Sequence, residues 1–208
     1  QVRHMKLFLL TEVIPYPVYV QNDASAGGVA EWWQYEGLNA MAYLFIGKGV
    51  GGALMIDGKP YEGNTLRSAE FGHMCIEING KLCDCGKRGC LEAYCSSSCI
   101  SDDLGLTIEE FFQRLQMGEP LVRKIWEEYV ERLVTAIHNI HMVLDCPIVL
   151  GGVLVPFLED YLPMMREVLK RKAFFPEEEQ CLLLGKCRGK ANCIGVALLF
   201  IYDFLEQI

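Results

Sequence analysis

No apolar run in the 208 residues approaches the roughly eighteen that a membrane-spanning helix needs, so a helical membrane protein is excluded. The segment most like a secretory leader, Met5-Lys6-Leu7-Phe8-Leu9-Leu10, soon meets Thr11-Glu12 and has no small-residue cleavage site. Positive charge is also scarce. Nineteen Lys and Arg against 27 Asp and Glu leave a formal charge of −8, which repels phosphate backbones and excludes a direct nucleic-acid reader in this chain. Repeats, low-complexity tracts and long linkers are missing too. What remains is a soluble globular composition, 51% apolar and 22% charged, enough for one core or one core and part of a neighbour.

Cysteine is the residue in excess, with ten. Without a leader, the expectation is a reducing cytoplasmic setting in which thiols are buried or bound to metal. Cys83, Cys85 and Cys90 crowd a polar loop beside His73, whereas Cys146, Cys181, Cys187 and Cys193 sit in or beside apolar segments, where small hydrophobes belong.

Short apolar runs alternate with amphipathic stretches, the pattern of an α/β fold. Pro17–Val20 reads as a strand, and Asp23 opens a small-residue helix from Ala24 to Gln34. Met41–Ile46 and Gly52–Ile56 are strands flanking a glycine-rich turn, Asp57-Gly58 turns a second corner, and Met74–Ile78 reads as a third strand. Helices follow at Ile108–Gln116 and Glu119–Leu144, then a strand at Pro147–Leu150 that Gly151-Gly152 breaks. A helix through Lys172, a strand at Cys181–Leu184 and a final helix at Ala191–Glu206 complete the chain. That last helix is apolar nearly all round, so burial on more than one side is expected.

The order His73-x9-Cys83-x-Cys85-x4-Cys90 supplies four zinc-type donors interrupted by Gly80, Gly86 and Gly89. Three thiolates and an imidazole close a tetrahedron with no position for a reactive water, so such a zinc would be structural. The alternative to a zinc site is chance clustering in a cysteine-rich chain plus a histidine satisfied in the core, and Cys75, Cys95 and Cys99 are alternative ligands.

Glu70-Phe71-Gly72-His73 followed by Cys83-Asp-Cys85-Gly86-Lys-Arg-Gly89-Cys90-Leu91-Glu92 resembles the signature of the ROK family, repressors and sugar kinases built on an actin-like (ribonuclease H-like) ATPase fold. Gln21-Asn22-Asp23-Ala24-Ser25-Ala26, Ile148-Val149-Leu150-Gly151-Gly152 and Ile194-Gly195-Val196-Ala197 extend the resemblance over about residues 18 to 200. It implies mainly the family's C-terminal lobe (35–208) with its zinc loop (73–90), preceded by a remnant of the N-terminal lobe (1–34).

The resemblance assigns Asn22, Asp23, Glu70, His73 and Glu92 to a sugar site, groups able to engage adjacent hydroxyls. A histidine held by zinc through one nitrogen presents the other as a fixed N–H donor. Taken singly, Asn22-Asp23 before a helix is an ordinary N-cap. In kinases of the family the aspartate at the position of Asp23 is the general base for phosphoryl transfer; in a sensor it binds the same hydroxyl.

Gly47-Lys48-Gly49-Val50-Gly51-Gly52 resembles a phosphate loop of actin-like kinases, whose N–H groups form an anion-binding concavity, although a glycine hairpin is also simply a turn. Lys48 stands where kinases usually carry threonine, and a point charge does not replace a positioned hydroxyl. Gly151 and Gly152 fall at the adenosine position, followed by Val153-Leu154-Val155 in place of small polar residues. No Asp-x-Gly-Gly-Thr loop for magnesium and ATP occurs.

Together with Asn22-Asp23-Ala24-Ser25-Ala26-Gly27-Gly28 and Trp32-Trp33 after Glu31, which resemble the N-acetylglucosamine- and xylose-type repressors of the family, these loops imply by resemblance the sugar-sensing effector part of a transcriptional regulator that reaches DNA only through a head outside this chain. The alternative is the C-terminal part of an ATP-dependent hexose or N-acetylhexosamine kinase. The expected partners are a small-molecule sugar and further copies of the chain, with no membrane.

Overall fold

The computed structural model describes residues 14–16, 18 and 20–205. Among them a five-stranded mixed sheet runs in the order β3-β2-β1-β4-β5. Its strands are β1 (Ala40–Ile46), β2 (Val50–Ile56), β3 (Lys59–Pro60), β4 (Ile148–Gly152) and β5 (Leu182–Leu184). β1 is antiparallel to β2 through a tight glycine turn, and parallel to β4, which is parallel to β5.

Side chains alternate between the faces of the sheet. Ala42, Leu44, Ile46, Ile148, Leu150 and Leu182 join the larger core, while Met41, Tyr43, Met55 and Val149 join a second core on the opposite face. The first face is covered mainly by α4 (Pro120–Leu144), whose Trp126, Leu133 and Ile137 are buried, together with α3 (Ile108–Gln116) and α6 (Leu162–Lys172). Burial of each such side chain contributes about 1.5–3 kcal/mol. Pro120 preorganises the first turn of α4, and Asp145 ends it in the left-handed region at φ 45°. The second face carries α1 (Asp23–Trp32), which packs on β1, β2 and α7 (Ala191–Leu205). Small residues permit that approach: a Cβ on Gly195 would lie 1.7 Å from the Ala26 carbonyl oxygen.

Several expectations are corrected. Met74–Ile78 is not a strand; a 3₁₀ turn at Phe71–His73 leads to the isolated bridge Cys75↔Cys90, because the partner segment is too short for a ladder. Gly151 and Gly152 extend β4 rather than break it, paired with Phe45 and Ile46. The helix expected to run from there to Lys172 is interrupted: α5 (Val155–Leu158) and a 3₁₀ turn at Glu159–Tyr161 precede α6, with a proline in the first turn of each helix. Helix α7 covers α1 on one side and leaves Ile194, Ile201 and Phe204 exposed on the other, not buried on several sides, and Cys193 is exposed as well. Half of the expected strand Pro17–Val20, namely Pro17 and Tyr19, lies outside the described residues, as do residues 5–10.

Candidate functional site

Three local devices, gathered where β1 and β4 end, hold the expected site residues. The first is the start of α1. Asn22 is its N-cap, its side-chain oxygen accepting the Ser25 N–H at 3.1 Å, and Asp23 Oδ1 accepts the Ala24 N–H at 2.8 Å. The capping reading of this pair is therefore realised. It leaves the Asn22 amide N–H₂ and most of the Asp23 acceptor capacity for other partners.

The second is the β1–β2 turn. Gly47 N–H donates to the Gly49 oxygen at 2.9 Å, Ser97 N–H donates to the Gly47 oxygen at 2.8 Å, and Lys48 is exposed at the tip. Glu92, in the one-turn helix α2 (Glu92–Cys95), accepts the Val50 N–H through Oε2 at 2.9 Å. A Cβ on Gly49 would come within 2.7 Å of that oxygen, so a side chain there would displace the carboxylate.

The third is the turn carrying Glu70 and His73. It lies against β2 on glycine: a Cβ on Gly72 would sit 1.9 Å from the Val50 oxygen, and one on Gly52 would sit 2.4 Å from the Ala69 oxygen. His73 is exposed, and its Nδ1 faces Cys83 Sγ at 3.9 Å.

His73, Cys83, Cys85 and Cys90 place one donor atom each within 4.8 Å of one another. Cys85 and Cys90 sulfurs are 3.7 Å apart. Zinc bonds of about 2.3 Å to sulfur and 2.0–2.1 Å to nitrogen space tetrahedral donors roughly 3.5–3.8 Å apart, so the four residues fit the ion. Thiol ligands must lose their protons to bind it. Burial pushes the Cys83 thiol up to about 12 and raises Cys90, whereas the Lys87 backbone N–H holds Cys85 below the usual thiol value. Cys95 and Cys99 fall outside this group, bonding the backbone oxygens of Tyr129 and Ala93.

Some of the site residues line two separate cavities, while Asp23 and His73 line neither of them. Asn22, Gly51, Gly52 and Glu70 share one of about 350 Å³ with Ser25 and Tyr61. Lys48, Gly49, Cys83 and Glu92 share another of about 440 Å³ with Ser96 and Asp103. Gly152 lies beside Ile46 at the base of the turn at φ 97°, and Gly151 lies against the Tyr43 hydroxyl. Leu154 and Val155 behind them are core residues.

Sequence reasoning missed two supports. Glu31, 1% exposed, accepts the Lys186 N–H at 2.8 Å and the Cys187 N–H at 3.0 Å, fastening α1 to the loop before α7. Its charge, after burial, raises the Tyr35 phenol to about 12. Tyr94 accepts the Lys81 N–H, and Arg132 lies over its ring at 4.9 Å while pairing with Glu77, which ties the cysteine loop to α4. An acidic residue next to Trp32-Trp33 gave no hint of burial, and Tyr94 and Arg132 are too far apart in sequence for spacing to link them.

A mixed sheet with helices on both faces and glycine turns at its strand ends is the architecture of actin-like sugar kinases. The ROK hexokinase from Thermus thermophilus superposes with a TM-score of 0.80 at 25% identity, over 92% of this chain and 68% of that one. The chain belongs to the ROK family, whose sequence profile matches residues 8–202. An N-acetylmannosamine kinase of Vibrio cholerae serotype O1 is 30% identical over 172 residues, 78% of this chain and 59% of the kinase. The xylose repressor of Caldicellulosiruptor bescii is 24% identical over 213 residues, 91% of this chain and 53% of the repressor. The chain thus spans between half and three fifths of the length of these curated relatives.

Proposed function

We propose that this chain is the sugar-sensing effector part of a ROK regulator, its recognition surface stapled by zinc on His73, Cys83, Cys85 and Cys90. The observation that carries the reading is His73, a member of the tetrad through Nδ1 and yet exposed. Zinc with four protein ligands is structural and holds the loop. With Nδ1 committed, Nε2 is the fixed N–H donor to a sugar hydroxyl. Asn22, its oxygen used as the cap, donates through its amide N–H₂. Asp23, Glu70 and the remaining acceptor capacity of Glu92 accept hydrogen bonds from sugar hydroxyls.

Lys48 at the tip of the phosphate turn and the buried Leu154 and Val155 after Gly151-Gly152 favour sensing over phosphoryl transfer. The second reading, a sugar kinase with Asp23 as base, is favoured by the 30% identity to N-acetylmannosamine kinase. Titration calorimetry of the whole protein against a monosaccharide panel, beside an ADP-release assay, tests both. Sugar binding without turnover supports the sensor; sugar-dependent ADP release abolished by Asp23→Asn establishes the kinase. Absence of any sugar binding overturns both.

A further inference from the structure

Cys75 is an exposed cysteine outside the tetrad, yet it lies directly across from Cys90, one of its members. Two hydrogen bonds flank the pair: Leu91 N–H to the Met74 oxygen at 2.9 Å and Ile76 N–H to the Gly89 oxygen at 2.8 Å. Bonds from the residues on either side, with none between Cys75 and Cys90 themselves, define the non-hydrogen-bonded type of antiparallel pair. In that type the Cα atoms are about 4.5 Å apart and both side chains rise from the same face. A disulfide accepts Cα separations of about 4.4–6.8 Å, so the two backbones stand where a bridge closes without chain movement. Gly89, at φ 81°, lets the two segments approach: a Cβ there would lie 3.1 Å from Cys75 Sγ.

We propose that Cys75 is an oxidation site, and that its product is a Cys75–Cys90 disulfide which withdraws one ligand from the tetrad. The oxidant is a peroxide. The Cys75 thiolate attacks one peroxide oxygen, the O–O bond breaks, and hydroxide leaves from a sulfenic acid. The Cys90 thiolate then attacks the Cys75 sulfur, the S–S bond forms, and the S–O bond breaks with loss of a second hydroxide. Two thiols have lost two electrons, and one peroxide has become two waters after protonation. Cys75 initiates because it is exposed and is not a ligand, whereas Cys90 is buried. Only His73, Cys83 and Cys85 then remain on the metal side, and a three-donor site holds zinc less tightly. The loss reaches the sugar surface through His73. This last consequence rests on the zinc reading; the disulfide itself does not.

The test treats the full chain with stoichiometric hydrogen peroxide and maps disulfides by non-reducing peptide mass spectrometry, while a chromogenic chelator follows zinc. The expected result is a Cys75–Cys90 peptide pair, release of about one zinc per chain, and reversal by a thiol reductant with added zinc. Cys75→Ser, a change at an exposed position, should keep its zinc under the same dose, with release slowed at least about tenfold. Bridges confined to Cys83, Cys85 and Cys90, or equal release from Cys75→Ser, overturn the proposal. A chain that holds no zinc but still forms Cys75–Cys90 upholds the oxidation site and refutes the zinc reading instead.

Discussion

Replacing Glu31 isolates the contribution of one buried carboxylate to holding the first helix. Its two oxygens accept the Cys187 N–H, which is buried, and the Lys186 N–H, which is part-buried, so removing the carboxylate leaves the first without a partner while water can reach the second. A buried N–H left without a partner costs about 1–3 kcal/mol. Glu31→Ala is therefore expected to destabilise by about 1–3 kcal/mol. Glu31→Gln keeps one acceptor, which can stay on the Cys187 N–H, so the loss should be smaller, about 1 kcal/mol or less. A protein of this size loses about 2–4 °C of Tm per kcal/mol. Urea denaturation followed by far-ultraviolet circular dichroism reads the difference, with the slope checked for constancy. If Glu31→Ala stays within about 0.5 kcal/mol of wild type, the range of ordinary surface changes, the loop finds other acceptors and the reasoning fails.

Purified protein should carry about one zinc per chain and lose both metal and ordered loop on Cys85→Ser; metal analysis showing a well-folded, zinc-free wild type would refute the tetrad. Thr107→Ala should cost about 1 kcal/mol in the same urea assay, because Thr107 Oγ1 accepts the Glu110 N–H in a capping box. The Thr107 backbone N–H also lowers the Glu110 carboxyl, so this stabilisation is present above the unfolded value near about 4.3 and is lost as the pH falls through the folded one. The exposed stripe of Ile194, Ile201 and Phe204 on α7 should drive self-association, and light scattering at micromolar concentration that finds a stable monomer would show that this stripe tolerates water.

Elements with a full local signal were legible. Ile108–Gln116 was bounded to the residue, since its apolar spacing and polar flanks agree, and β1 and β2 followed from two short apolar runs flanking a glycine-rich turn. The cysteine tetrad was legible from ligand spacing, and the structure gathers the same four residues. Met74–Ile78 misled because alternation signals a half-buried strand only where a partner of matching length exists. Gly151-Gly152 misled because glycine favours turns unless a neighbouring backbone or ring leaves no room for a Cβ. Here Ile46 and Tyr43 leave none. Glu31 and the Tyr94–Arg132 contact could not be read at all, since burial and stacking between distant segments have no local pattern.

The pairing of β1 with β4 has a kinetic consequence. Ala42 meets Ile148 across roughly a hundred intervening residues, a separation of the kind that slows folding because loop-closure entropy is lost before the contact forms. As the chain leaves the ribosome, α1 and the β1–β2 hairpin emerge before α4 and β4, and the inner edge of β1 stays open until those have been made. During that interval the backbone groups of Ala42, Leu44 and Ile46 that later face β4 lie on a bare strand edge, a template for mispairing with another chain. Slowed translation between the hairpin and β4 would lengthen that exposure, and yield of soluble protein should fall with it.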